Sequence, residues 1–211
     1  VYLPVWTYDA ATTTRYSGER GEHYNETESY SVTEKGSAVK KTRQVRKTRW
    51  RPASGTVSRA FDDVLVAGSA SVPAKLLDAL APWDLGALVA HAEEYLAGFR
   101  TESYSVGLEA GFEAAKKKME PLIDESIRRD IGGDEQRIGG KDTRYDGVTF
   151  KHILLPVWIC AYRLHDKTYR IVVNARTGKV TGERPVSWAK VVMLVLGIIA
   201  TIAVLVSVFG G

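Results

Sequence analysis

The chain of 211 residues holds a single cysteine, Cys160, together with two methionines and four histidines. One thiol cannot close an intrachain disulfide or furnish most of a zinc site, so a disulfide-stapled secreted fold is excluded. Any metal centre would have to be built from histidine and carboxylate. Catalytic signatures are missing too. There is no G-x-x-x-x-G-K-[ST] phosphate cradle, no G-x-G-x-x-G, no G-x-S-x-G elbow and no H-E-x-x-H zinc helix. His91-Ala92-Glu93 is half of a zinc-deaminase signature whose P-C-x-x-C half one cysteine cannot supply. His23, His152 and His165 are dispersed without an evident serine or cysteine partner, and Cys160, inside an apolar run, is expected to be a buried thiol. Asp62 and Asp63, adjacent on a strand, are expected on opposite faces and not at one cation site. Neither catalytic residue, metal ligand nor cofactor is expected. Charge of one sign is lacking as well: 29 Lys+Arg stand against 25 Asp+Glu, a net charge of +4. Such an excess is no DNA-binding footprint by itself.

What is present begins with an uncharged run at 191–209, VVMLVLGIIATIAVLVSVF. As a helix it would cover roughly 28 Å, the hydrocarbon thickness of a bilayer. Trp188 and Lys190 stand where an interfacial ring and a snorkelling ammonium are wanted. A membrane anchor is therefore expected, carried by Trp188, Lys190, Val191, Leu194, Ile198, Leu205 and Phe209. The basic residues before it place 1–187 in the cytoplasm as the bulk of a single-pass protein. Gly197 and Gly210 are too far apart for a G-x-x-x-G dimer face.

The remainder predicts an α+β fold: an antiparallel β-meander with hairpins, one long amphipathic helix and the C-terminal transmembrane helix. Residues 1–70 form a β-rich unit, read as about five strands because 17–21, 34–37 and 52–55 carry turn chemistry. Residues 71–133 are helical, with a short helix after Pro73 and a long one from Leu108. In the long helix Leu108, Phe112, Ala115, Met119, Leu122, Ile123, Ile127 and Ile131 recur at spacings of mostly four and three, through Pro121, until Gly132-Gly133. Residues 134–187 form a hairpin unit packing with the first, and 188–211 the membrane helix. Tyr2-Leu3-Pro4-Val5-Trp6 is matched by Leu154-Leu155-Pro156-Val157-Trp158, which suggests pseudo-twofold character with both tryptophans as core anchors.

Lys40, Lys41, Arg43, Arg46, Lys47, Arg49 and Arg51 put seven cations in twelve residues. They are the best partner-binding candidate: a solvated strand face, or one meeting anionic lipid headgroups, an acidic protein or, with less support, nucleic acid. Only Trp50 is interleaved for base stacking.

The segments VYLPVWTYDA, RKTRW, LAPWDL, EYLAGFR, RRDIGGDEQRI, VTFKHILLPVWICAYR and VVNARTGKVTGERPVSW together resemble a bacterial family of zinc-ribbon-containing membrane proteins. Its members are labelled primosomal-protein-N′-like or TFIIB-type zinc ribbon proteins. The resemblance implies cysteine-rich ribbons ahead of this region; none is present, and a chain beginning at Val1 reads as a segment of a longer polypeptide. It also implies the bacterial inner membrane as location and a flotillin-like SPFH-domain protein as partner. The function expected is a membrane-anchored, non-enzymatic scaffold or adaptor, self-assembly included; the alternative is a membrane-tethered nucleic-acid-binding module using 40–51.

Overall fold

The computed structural model describes residues 1–34, 37–164, 166–183, 192–199 and 201–202, with the side chains of 32–39 left aside. Among the described residues up to 183, five strands and two α-helices follow in the order β1 (Tyr2–Glu34), β2 (Ser37–Ala67), α1 (Ala74–Ala79), α2 (Leu108–Ile131), β3 (Glu135–Leu164), β4 (Lys167–Asn174) and β5 (Val180–Gly182). Two short 3-10 turns, Leu85–Ala87 and Glu93–Leu96, occupy the connection between the helices. The chain divides into two compact units: Val1–Asp78 with Ala90–Leu155, and Ala79–Val89 with Pro156–Gly211. The first contains strands in the order β2-β1-β3; the second contains the end of β3, then β4 and β5.

The first correction concerns the meander. β1 and β2 form one antiparallel hairpin whose register runs from Val5↔Ala67 to Glu34↔Ser37. The apparent turn residues at 17–21 and 52–55 lie opposite each other, with Gly18 across from Ala53, Glu19 from Pro52 and Gly21 from Trp50. Their glycines serve close packing. A Cβ on Gly18 would run into the Arg137 carbonyl, and one on Gly21 would sit 3.0 Å from the Trp50 ring. Pro52 lies on the outer strand, where a missing N–H is tolerated.

In β1, residues 11 to 17 alternate strictly, with Thr12, Thr14 and Tyr16 buried and Ala11, Thr13, Arg15 and Ser17 exposed. The buried face meets α2. Gly111, Ala115, Met119, Ile123, Ile127 and Ile131, spaced by four, form its covered stripe. Leu108 and Leu122 stay exposed. Trp6, Tyr8, Ala10, Tyr16, Phe61 and Val66 complete the core. Pro121 falls on the exposed side, so the Lys117 carbonyl it leaves unbonded is open to water and the helix continues. Gly132 and Gly133, both at positive φ, end it.

The expected α+β class is thus replaced by a predominantly antiparallel sheet, with one 24-residue helix and one of six among the described residues up to 183. No helix among the described residues is long and apolar enough to cross a membrane. Residues 192–199 and 201–202 are helical, with Leu194 65% and Ile198 51% exposed. Trp188, Lys190, Val191, Leu205 and Phe209 lie outside the described residues. The expected single-pass placement in the bacterial inner membrane is corrected on that finding: among the described residues no helix is long and apolar enough to span a bilayer.

In the second unit, Trp158↔Val173, Cys160↔Ile171 and Tyr162↔Tyr169 pair across β3 and β4, and Val173↔Val180 across β4 and β5. Val157, Val172 and Asn174 are buried. Asn174 Nδ2 donates to the Leu80 carbonyl at 3.3 Å, and Asn174 Oδ1 accepts the Arg176 and Thr177 N–H groups. Trp158 is 62% exposed and Cys160 is exposed, which corrects the expected core anchor and buried thiol. Their face of the strand carries no helix among the described residues.

Candidate interaction surface

Beyond Gly21 the hairpin continues as a two-stranded arm, 22–34 against 37–49, roughly 40 Å long. α2 ends at Ile131 and β3 begins at Glu135, beside the base of the arm. That base is clasped. The Asp134 N–H donates to the Gly21 carbonyl at 2.9 Å, and Asp134 Oδ2 accepts the His23 N–H at 2.7 Å. His23 Nε2 lies 2.8 Å from Glu135 Oε1, and this contact, before any other, holds the Glu135 carboxyl below the ordinary range. The Arg137 guanidinium stacks 3.7 Å over the Trp50 ring and reaches Glu19 at 3.5 Å.

All seven predicted cations are on β2. The register sets the acidic stretch of β1 against them, with Glu22↔Arg49, Glu26↔Val45 and Glu28↔Arg43. Strand alternation puts Glu22, Tyr24, Glu26, Glu28 and Tyr30 on one face with Arg49, Lys47, Val45, Arg43 and Lys41. Lys47 Nζ sits 2.6 Å from Glu26 and 3.1 Å from Glu28, and Arg43 Nη2 3.1 Å from Glu28. Hydrogen bonds from Lys47, then from Arg43, depress the Glu28 carboxyl; those to Glu26 and Glu28 raise the Lys47 ammonium. Arg43 covers the Tyr30 ring at 5.8 Å and Arg49 the Tyr24 ring at 5.0 Å. On the opposite face the strands themselves carry no carboxylate between 25 and 31 or between 40 and 46: Asn25, Thr27, Ser29 and Ser31 lie beside Arg46, Gln44, Thr42 and Lys40. Arg51 is opposite Arg20. The sequence located the cations; it did not show that the acidic stretch is their cross-strand partner.

A second cluster was not expected. Two β2 residues oppose Asp9 at a bulge, with Asp63 at φ 51°, and the oxygens of Asp9, Asp62 and Asp63 come within 4.8 Å of one another. The bulge breaks the strand alternation that would have separated Asp62 from Asp63. Its charge is met in part internally. Lys151 Nζ lies 3.0 Å from Asp63 and 3.5 Å from Asp9, while Asp9 accepts the Asp63 N–H at 2.7 Å and the Thr149 hydroxyl at 3.0 Å. Burial pushes the Asp9 carboxyl up, yet those hydrogen bonds and the Lys151 charge outweigh it and leave it lowered. Of the histidines, His152 stacks on Tyr104 at 4.2 Å and meets the Trp6 ring at 3.7 Å, His91 is exposed, and His165 lies outside the described residues. No nucleophile and base pair is found among the described residues within these clusters.

Compared with known proteins, the chain matches no family model, and no solved structure matches it. It is similar to the uncharacterized protein YdjG of Bacillus subtilis strain 168, 32% identical over 125 residues, which are 59% of this chain and 37% of that protein's length.

Proposed function

We propose that this chain is a non-enzymatic scaffold or adaptor whose two-stranded arm holds partner proteins. The observation that carries this reading is the arm itself, exposed on both faces and backed by neither helix nor third strand among the described residues. A lone ribbon is marginal in water, and this one is held by cross-strand ion pairs and ring contacts in place of a core. A protein laid along either face would supply the missing burial. The cations outnumber the carboxylates, which favours an acidic partner. A flotillin-like SPFH protein is the client that the motif resemblance suggests. Nucleic acid is disfavoured: Tyr24 and Tyr30 lie under guanidinium groups and Lys47 and Arg43 are engaged by glutamates, so neither stacking platforms nor free cations are plentiful.

The test is to join Tyr24 directly to Lys47 through an Asn-Gly type I′ turn, since those two residues face each other in the register. The shortened chain should keep its thermal midpoint and lose its cross-linked partners in quantitative mass spectrometry. Partner recovery equal to that of the full chain overturns the reading.

A further inference from the structure

We infer that the outer edge of β2 at residues 53–61 pairs antiparallel with the same edge of a second copy of this chain. β2 is the outermost strand of its unit, and most of its length is guarded. Cations and Pro52 defend one end and the bulge at Asp62 and Asp63 the other, the devices by which proteins stop edges from pairing. Between them runs Ala-Ser-Gly-Thr-Val-Ser-Arg-Ala-Phe, about 30 Å of strand without a guard. Its one charge is turned away, because Arg59 Nη1 donates to the Leu122 carbonyl at 3.0 Å and to Ser126 Oγ at 3.2 Å on α2.

Pro52 also fixes which backbone groups face outward. Lacking an N–H, it must occupy a position of the β1 ladder where none is required. Alternation then turns the N–H and C=O of Ser54, Thr56, Ser58 and Ala60 away from β1. All four residues are exposed, and no backbone hydrogen bond to another segment reaches them among the described residues.

Charge selects the occupant. Antiparallel pairing centred on 55–57 lays 47–51 of one copy beside 61–65 of the other, so Arg49 and Arg51 approach Asp62 and Asp63, twice by symmetry. A parallel copy would instead stack the basic segment on itself. This edge lies apart from the arm faces, so the inference stands whether or not the arm binds a client.

Sedimentation velocity on the full chain in mild non-ionic detergent, which keeps the apolar 191–209 run dispersed, tests it. The native chain should form a concentration-dependent dimer. Thr56→Pro removes an outward donor from each copy without touching the β1 ladder, and should weaken the dimer at least about tenfold with unchanged circular dichroism. Should that variant misfold, charge exchange decides: Arg49→Glu/Arg51→Glu alone and Asp62→Lys alone should be monomers, and an equimolar mixture should dimerise. A native chain monomeric throughout, an acidic peptide bound in place of a second copy, or a mixture that fails to associate would falsify the pairing.

Discussion

The two halves of the β1–β2 hairpin share the same strands and, from Ala10 to Glu34, one continuous register, yet they are held by different physics. In the near half, residues 5–8 are buried throughout and 11–17 alternate, and Trp6, Tyr8, Ala10 and Tyr16 join the core with α2. In the far half, 22–31 and 40–49 are exposed or half-buried on both faces, and the contacts that hold them are ion pairs and cation–ring contacts between the strands. Apolar burial contributes roughly 25 cal/mol per Å², while an exposed ion pair contributes at most a small fraction of that from one buried side chain. The near half should therefore set the stability of the fold, and the far half should be free to serve as a surface.

Breaking the near half should give the largest effects. Met119 is fully buried in the centre of the α2 stripe, so Met119→Ala should cost about 2–5 kcal/mol in urea unfolding. A cost below 1 kcal/mol would mean that α2 does not anchor the sheet. Next comes Gly18→Ala, whose methyl would collide with the Arg137 carbonyl where β3 passes the hairpin. Backbone cannot swing aside as a side chain can, so about 1–3 kcal/mol should be lost. Hydrogen exchange should rise first in 134–140.

A smaller effect, with a pH signature, is expected at Tyr16. Its hydroxyl donates to Asp130 Oδ2 at 2.6 Å, and burial, then that hydrogen bond and the Asp130 charge, push the phenol up to about 12. A raised folded value means the stabilisation is complete below the ordinary tyrosine value of ~10 and is lost as pH climbs from there through about 12. Tyr16→Phe should cost about 1.5 kcal/mol at neutral pH and flatten the alkaline fall in stability. Tyr104, also raised to about 12 by burial, should preserve the rest of that fall. Phenolate absorbance followed against pH, with and without Tyr16, checks both statements.

The same contrast decides how much could be read from the residues alone. The spacing by four from Ala115 to Ile131 marks the helix stripe, because one covered face imposes its period on the sequence. The hairpin misleads for the opposite reason. Gly18, Gly21, Pro52 and Gly55 look like turns, but Gly18 and Gly21 make room for neighbouring atoms and Pro52 sits on an edge, and only the three-dimensional register shows it. The Leu-Pro-Val-Trp repeat teaches the same lesson. Leu3 and Leu155 are both buried, as are Val5 and Val157, so the odd positions match. Trp6 is 5% exposed, its Nε1 donating to the Val106 carbonyl at 2.9 Å, while Trp158 is 62% exposed. Identical local sequence fixes which way a side chain points and leaves open whether anything covers it. For the arm, the cations were legible as a cluster, whereas their pairing with glutamates some twenty residues away depends on a register that no local pattern encodes.

The smallest expected effect sharpens the comparison most. Glu28 bridges Lys47 at 3.1 Å and Arg43 at 3.1 Å, joining two cations on the neighbouring strand to one carboxylate. Glu28→Gln keeps the shape and removes the charge. If the far half is held by cross-strand electrostatics, amide exchange should quicken throughout 22–31 and 40–49 and stay unchanged in the α2-backed residues, and added salt should mimic the substitution. Exchange that quickened equally in both halves would show that the hairpin opens as one unit. The arm would then be a cooperative extension of the core, and its exposure would no longer mark it as a separate binding surface.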